Sequence, residues 1–281
     1  MNVIVTGGTG FLGNALVSEL IRSGDTVTAL VRPNSVRLSR IEKIPGVKIV
    51  EARLDEDIIL PKDNYDVFYH LAWEGERDNY NSQYKNVKMT LNCLNASAKY
   101  GCKRFICTGS QAEYGETDHV ITEETPVAPT TSYGAAKAAA YYLSKDLARH
   151  YNIEHIWVRV FSVYGENDNA NTLYTQLSEA LHNSKKYSLS TDGKHMWNFL
   201  HETDAARALR LLYAPDVSEG VYNLASKYSR PLCEYVDLMR QSIDPSAEIS
   251  FGNQKSKINL NASTVKLRKA VGEFEEKTFP V

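Results

Sequence analysis

The stretch that most constrains the fold is Thr6-Gly7-Gly8-Thr9-Gly10-Phe11-Leu12-Gly13, which follows the apolar run Val3-Ile4-Val5. Leu12, Ala15, Leu16 and Leu20 then recur at helical spacing, so the order is strand, glycine turn, helix. Gly7 permits the tight turn, Gly10 lets backbone N–H groups approach a pyrophosphate, and Gly13 lets the helix pack close to the sheet. The anion then lies at the positive end of the helix. The spacing is G-x-x-G-x-x-G rather than G-x-G-x-x-G. Its place before a helix that ends at Gly24 points to a dinucleotide site.

The apolar pattern downstream alternates strand and helix, which predicts an α/β fold: a Rossmann-type, doubly wound parallel sheet. Strands are expected at Thr26 to Val31, Val47 to Val50, Asp66 to Ala72 and Arg104 to Thr108, with a helix from Tyr84 to Tyr100. From Glu166 onward the spacing loosens, and helices are expected at Leu173–Leu181, Thr203–Tyr213 and Pro231–Ile243. Residues 1–165 are therefore read as an NAD(P)-binding domain and 166–281 as a small α/β substrate-binding portion, with a soft boundary that the chain can cross back over. Strand two ends Leu30-Val31-Arg32, where an NAD-selective fold places a carboxylate for the ribose hydroxyls. Arg32, with Arg37 near it, suits a 2′-phosphate by charge-assisted hydrogen bonds. NADP(H) is the expected cofactor, with NAD(H) possible.

Composition excludes several partners. With 32 Lys and Arg against 34 Asp and Glu, and no long basic block, the chain lacks the electrostatic footprint of a nucleic-acid binder. Four cysteines and seven histidines show no metal-ligand spacing, and the cysteines read as small core residues of a reducing compartment. No basic leader precedes the first strand, and no run of eighteen or more apolar residues offers a membrane span. A cytoplasmic protein is expected.

The chemistry concentrates at three later places. Strand four ends His70-Leu71-Ala72-Trp73, where a small Ala72 suits close approach of a ligand; His70 reads as a packed core histidine, and Trp73 as pocket floor or packing. Strand five is followed by Gly109-Ser110-Gln111-Ala112-Glu113-Tyr114-Gly115, and the Ser110 hydroxyl there could polarise a carbonyl. In Tyr133-Gly134-Ala135-Ala136-Lys137, four-residue spacing puts a phenol and an ammonium on one helix face. A neighbouring cation favours the phenolate, which makes Tyr133 a candidate general acid/base.

Together these segments resemble an extended short-chain dehydrogenase/reductase of the sugar-nucleotide epimerase/dehydratase family. Later stretches agree: Val158 to Gly165 is similar to that family's R-x-F-N-x-Y-G, and Tyr222-Asn223-Leu224-Ala225 to its Y-N-I-G strand. The resemblance implies that Ser110 and Tyr133 hold the reacting sugar oxygen while Lys137 holds the nicotinamide ribose, with Asn86 in support. It implies cofactor contacts from Gly7, Thr9, Gly10, Phe11, Leu12, Gly13 and Arg32, and from Leu54, Leu71, Ala72, Trp73 and Thr108. Phe161 and Val163 complete that side, and Gln111, Ser162, Asn171 and Trp197 join Ser110 toward the substrate. A homodimer built on the helices carrying Asn86 and Tyr133 is likewise implied.

The departures narrow the reaction. Gln111-Ala112 stands where the dehydratases carry an acidic pair, and neither side chain titrates. Ser162 replaces an asparagine that contacts phosphate, and Trp197 replaces an arginine, which puts the diphosphate contacts in question. The leading expectation is NADPH-dependent reduction of a nucleotide-linked 4-keto-6-deoxy sugar with Tyr133 as proton donor. An NAD-dependent nucleotide-sugar epimerase is the alternative, and a non-catalytic dinucleotide-binding module the third.

Overall fold

The computed structural model describes residues 1–280. In the first half, β1 (Asn2–Thr6), α1 (Phe11–Arg22), β2 (Thr26–Val31), a short α2 (Ser39–Glu42), β3 (Lys48–Glu51), β4 (Val67–His70), α3 (Tyr80–Lys99), β5 (Arg104–Ser110), α4 (Ser132–Tyr151) and β6 (Glu154–Val160) follow in order. Beyond them come β7 (Val163–Tyr164), α5 (Leu173–His182), β8 (Tyr187–Thr191), β9 (Met196–Asn198), β10 (Leu200–His201), α6 (Glu202–Leu211), β11 (Gly220–Leu224), β12 (Ser229–Pro231), α7 (Leu232–Ile243), β13 (Ile249–Gln254) and α8 (Val265–Val271).

Seven strands form one parallel sheet in the order β11-β6-β5-β4-β1-β2-β3. Successive side chains of a strand face opposite sides, and both sides are covered. Val3 and Val5 of β1 pack with Leu16 and Leu20 of α1 and Leu209 of α6, whereas Ile4 packs with Leu94 of α3, Ala140 of α4 and Phe105 of β5. Burial on both faces is why these strands read as continuous apolar runs. The strand order reverses between β1 and β4, so the chain leaves those two strands in opposite directions and opens a crevice at their C-terminal ends.

Two boundaries differ from expectation for identifiable reasons. The third helix starts at Tyr80, four residues early, because Asn79 caps it by accepting from Ser82 N at 3.0 Å. Strand four stops at His70, two residues short, because the backbone at Leu71 and Ala72 packs against Gly7, where a Cβ would meet Ala72 N at 2.7 Å. Past residue 165 the chain returns to the main sheet through β11 and lays α6 against α1. The remainder builds a separate apolar cluster from Leu177, Leu181, Phe199, Tyr235 and Met239, with Phe279 packed against it.

Candidate active site

The glycine turn is held by Gly10 N donating to Gly7 O at 2.9 Å. Gly13 sits so close that a Cβ there would lie 2.1 Å from Gly7 O, so the first turn of α1 is drawn onto the end of β1. Gly10 caps α1 without a side chain, which leaves the helix N-terminus open to an anion. Thr9, Phe11 and Leu12 are half-buried around it, and Leu71 and Ala72 lie against the turn from β4. This cradle fits a dinucleotide pyrophosphate.

Tyr133 and Lys137 lie in the first turns of α4, capped by Thr131, whose hydroxyl accepts from Gly134 N at 3.1 Å. Lys137 is 3% exposed. Its ammonium donates to Thr108 O at 2.7 Å and sits 3.6 Å from the Trp73 ring centroid and 6.0 Å from that of Tyr133. Lys137 makes no salt bridge to a carboxylate among the described residues, so its positive charge stays directed into the site. Trp73 meets Tyr133 edge-on at 6.0 Å and donates its indole N–H to Gln83 Oε1 at 3.0 Å.

Gly134 joins this helix to Ser110. A Cβ at Gly134 would lie 2.3 Å from Ala112 O, so only glycine lets α4 rest against the turn that follows β5. The Ser110 hydroxyl accepts from Ala112 N at 3.2 Å, leaving its own proton available for a substrate oxygen. Gln111 begins that turn.

Sequence reasoning missed what fixes this turn. Glu113 is fully buried; its carboxylate accepts from Ser110 N at 2.8 Å, Trp157 Nε1 at 3.0 Å and Arg159 Nε at 2.8 Å. The Arg159 guanidinium also lies 4.4 Å from the centroid of the Tyr114 ring. The loop after β4 is fixed in a similar way. Asn86 is wholly buried; its side chain accepts from Glu74 N at 2.9 Å and donates to Glu74 O at 2.8 Å. His70 packs as a core residue between Thr6 Oγ1 at 2.8 Å and Thr90 Oγ1 at 3.1 Å, and burial, aided by the Lys137 charge, pushes it down to about 3.

A second omission is Arg77, whose guanidinium lies 4.6 Å from the Tyr133 ring centroid. A third concerns Arg32, which is not free: its Nη1 lies 3.4 Å from Glu74 Oε2, and Glu74 also takes the Lys85 ammonium at 2.9 Å. Arg37 is exposed.

The remaining candidates spread wider. Phe161 is buried beside Tyr114, Ser162 O accepts from Leu200 N at 2.9 Å, and Val163 pairs with Leu200 in register. Leu54 O accepts from Asn92 Nδ2 at 3.0 Å at the edge of the sheet. Asn171 is exposed in the turn before α5, its N–H bonded to Asn169 Oδ1 at 3.0 Å. Trp197 packs against Phe199 and His195, and its buried indole N–H has no acceptor among the described residues. A cavity of about 690 Å³ between α7 and the β8–β13 pair is lined by none of these residues. No cluster of three or more metal-ligating side chains occurs among the described residues, and no helix there is long and apolar enough to cross a membrane.

Sheet order, open glycine turn and crevice define an α/β dinucleotide-binding fold of the extended short-chain dehydrogenase/reductase type. The chain belongs to the NAD dependent epimerase/dehydratase family, whose model matches residues 3–225. It is 28% identical over 272 residues to UDP-glucuronic acid decarboxylase 2 of Arabidopsis thaliana, covering 89% of this chain and 59% of that protein. It is 25% identical over 306 residues to UDP-glucose 4-epimerase of Corynebacterium glutamicum, covering 99% of this chain and 92% of that one. Among solved structures, dTDP-glucose 4,6-dehydratase of Bacillus anthracis in complex with NAD superposes with a TM-score of 0.86 at 21% identity, over 99% of this chain and 93% of that one. The chain thus spans about three-fifths of the Arabidopsis decarboxylase and nearly the whole of the Corynebacterium epimerase.

Proposed function

We propose that the chain catalyses NAD-dependent redox chemistry at C4 of a nucleotide-linked sugar, with a 4-epimerase as the leading form. The observation that carries this reading is the convergence of Tyr133, Lys137 and the Ser110 turn at the sheet's C-terminal edge, beside the glycine cradle. Bound NAD would accept a hydride from C4 and return it. Tyr133, as phenolate, takes the proton of the C4 hydroxyl as the carbonyl forms, and gives it back when the carbonyl is reduced. Ser110 donates its hydroxyl proton to the same oxygen. Lys137, held by Thr108 O and Trp73, stabilises the phenolate by charge and would hold the ribose of the cofactor. The parts of 166–281 outside α6 and β11 would cover the nucleotide, with Ser162, Asn171 and Trp197 toward it.

Three features support this choice over neighbouring reactions. Gln111-Ala112 offers no acid for a 4,6-dehydration. Glu74 pairs with Arg32, the side chain that would otherwise be offered to a 2′-phosphate, which favours NAD. The Corynebacterium relative is named a UDP-glucose 4-epimerase. The NADPH-dependent 4-keto-6-deoxy sugar reductase is the second reading, supported by the presence of Arg32 and Arg37 and the absence of an acid at the end of β2. The exposed Tyr80 and Tyr84 on α3 and Tyr142 and Leu143 on α4 support a homodimer through those helices.

The test is conversion of UDP-glucose to UDP-galactose by the purified protein with NAD, set beside reduction of a 4-keto-6-deoxy sugar nucleotide with NADPH. Retained NAD and interconversion, both lost in Tyr133→Phe, are expected. Turnover unchanged by Tyr133→Phe would refute the assignment of the acid/base.

A further inference from the structure

The loop from Glu74 to Asn79 carries a charge that the proposed chemistry does not use. Arg77 is exposed, and its guanidinium lies 4.6 Å from the centroid of the Tyr133 ring. It makes no salt bridge or side-chain hydrogen bond among the described residues, although Glu74, Glu76 and Asp78 are its near neighbours in sequence. Glu74 is already taken by Arg32 and Lys85.

The backbone that presents Arg77 is built rather than loose. Asn86 holds both backbone groups of Glu74, Gln83 donates to Glu76 O at 2.8 Å, and Ser132 Oγ donates to Arg77 O at 2.8 Å. The last bond ties the loop to the first residue of α4, next to Tyr133. An arginine held there has its fork of N–H donors free and its plane steadied by an aromatic ring.

We infer that Arg77 is a specificity-determining residue that takes a carboxylate carried on C5 of the sugar, so that the preferred substrate is a nucleotide-linked hexuronate. The inference rests on Tyr133 acting at C4. On a pyranose, C4 and C1 lie across the ring from each other, so the diphosphate on C1 is directed away from Tyr133 while the C3 and C5 substituents flank the reacting carbon, and of these two only the C5 substituent can be a carboxylate. A cation standing over the Tyr133 ring is therefore placed for the C5 substituent. A carboxylate there accepts two parallel hydrogen bonds from a guanidinium, which a neutral hydroxymethyl group cannot do.

The experiment compares binding and C4 oxidation of UDP-glucuronic acid and UDP-glucose by the NAD-loaded wild type, Arg77→Ala and Arg77→Lys. The wild type is expected to bind the uronate about 10- to 100-fold more tightly than the hexose, the range for hydrogen bonds to a charged group. Arg77→Ala should erase that preference while changing hexose binding by less than about twofold, and Arg77→Lys should restore part of it through charge without the fork. Equal affinities in the wild type, or equal loss of both substrates in Arg77→Ala, would overturn the role of Arg77 while leaving C4 chemistry standing. A protein that neither binds nor oxidises either UDP-sugar overturns the functional reading and this inference together.

Discussion

The ammonium of Lys137 rests 3.6 Å from the centroid of the Trp73 ring, buried and without a carboxylate partner among the described residues. An indole face and one carbonyl hold the charge in place without neutralising it, so it remains available to a phenolate or a ribose. A desolvated cation over tryptophan contributes about 2 kcal/mol. Trp73→Leu should therefore lower kcat/KM by up to roughly 30-fold while the fold is retained, as measured by steady-state kinetics alongside circular dichroism.

Gly134→Ala tests the contact that brings the Tyr133 helix to the Ser110 turn. The added methyl would sit 2.3 Å from a backbone carbonyl oxygen, which cannot swing aside as a flexible side chain can. Overpacking of this kind costs about 1–3 kcal/mol. A fall in the urea midpoint with a larger loss of kcat than of substrate affinity is expected; unchanged kcat would separate Ser110 from the reaction.

Glu113 and Arg159 form a buried ion pair, 0% and 3% exposed at their side chains. Removing one partner strands the other charge, so Glu113→Gln or Arg159→Met should each cost about 3–5 kcal/mol, while the double substitution recovers part of the loss. Urea unfolding of the three variants measures the coupling.

Stability should depend on pH with two opposing slopes. Burial lowers His70 to about 3 and His155 to about 4, with Lys137 and Lys145 adding repulsion. The unfolded chain takes up these protons near pH 6.5. Their contribution is complete above that pH and is lost as pH falls toward 4 and then 3. Glu202 is raised to about 7, first by burial and then by the charges of Glu166 and Asp168. Its folded form keeps a proton that the unfolded chain releases near pH 4.3, so stability falls between about pH 4.3 and 7 as pH rises. Glu202→Gln should flatten that decline, read as the urea midpoint across pH 5 to 8.

Glu74→Gln should change the choice of cofactor. With the carboxylate gone, Arg32 is released from its 3.4 Å contact and is offered to a 2′-phosphate. The ratio of KM for NADP to KM for NAD should fall by roughly tenfold, the scale of one hydrogen bond to a charged group. An unchanged ratio would place the 2′-position elsewhere.

What the sequence alone determined was set by short-range spacing. The strand-turn-helix of Val3 to Leu20, the helical offset from Tyr133 to Lys137 and the alternation of apolar strands depend on residues within a turn or two of one another, so periodicity and glycine positions suffice to read them. The tertiary structure decided the rest because each partner lies far along the chain: Arg77 beside Tyr133, Arg159 and Trp157 on Glu113, Glu74 against Arg32, and Trp73 under Lys137. These pairs meet because a parallel sheet with helical crossovers gathers the ends of β1, β2, β4 and β5 at one edge. No local pattern states which loop will hold which charge there. For that reason the pairing of Arg32 with Glu74, 42 residues away, could not be seen from the sequence.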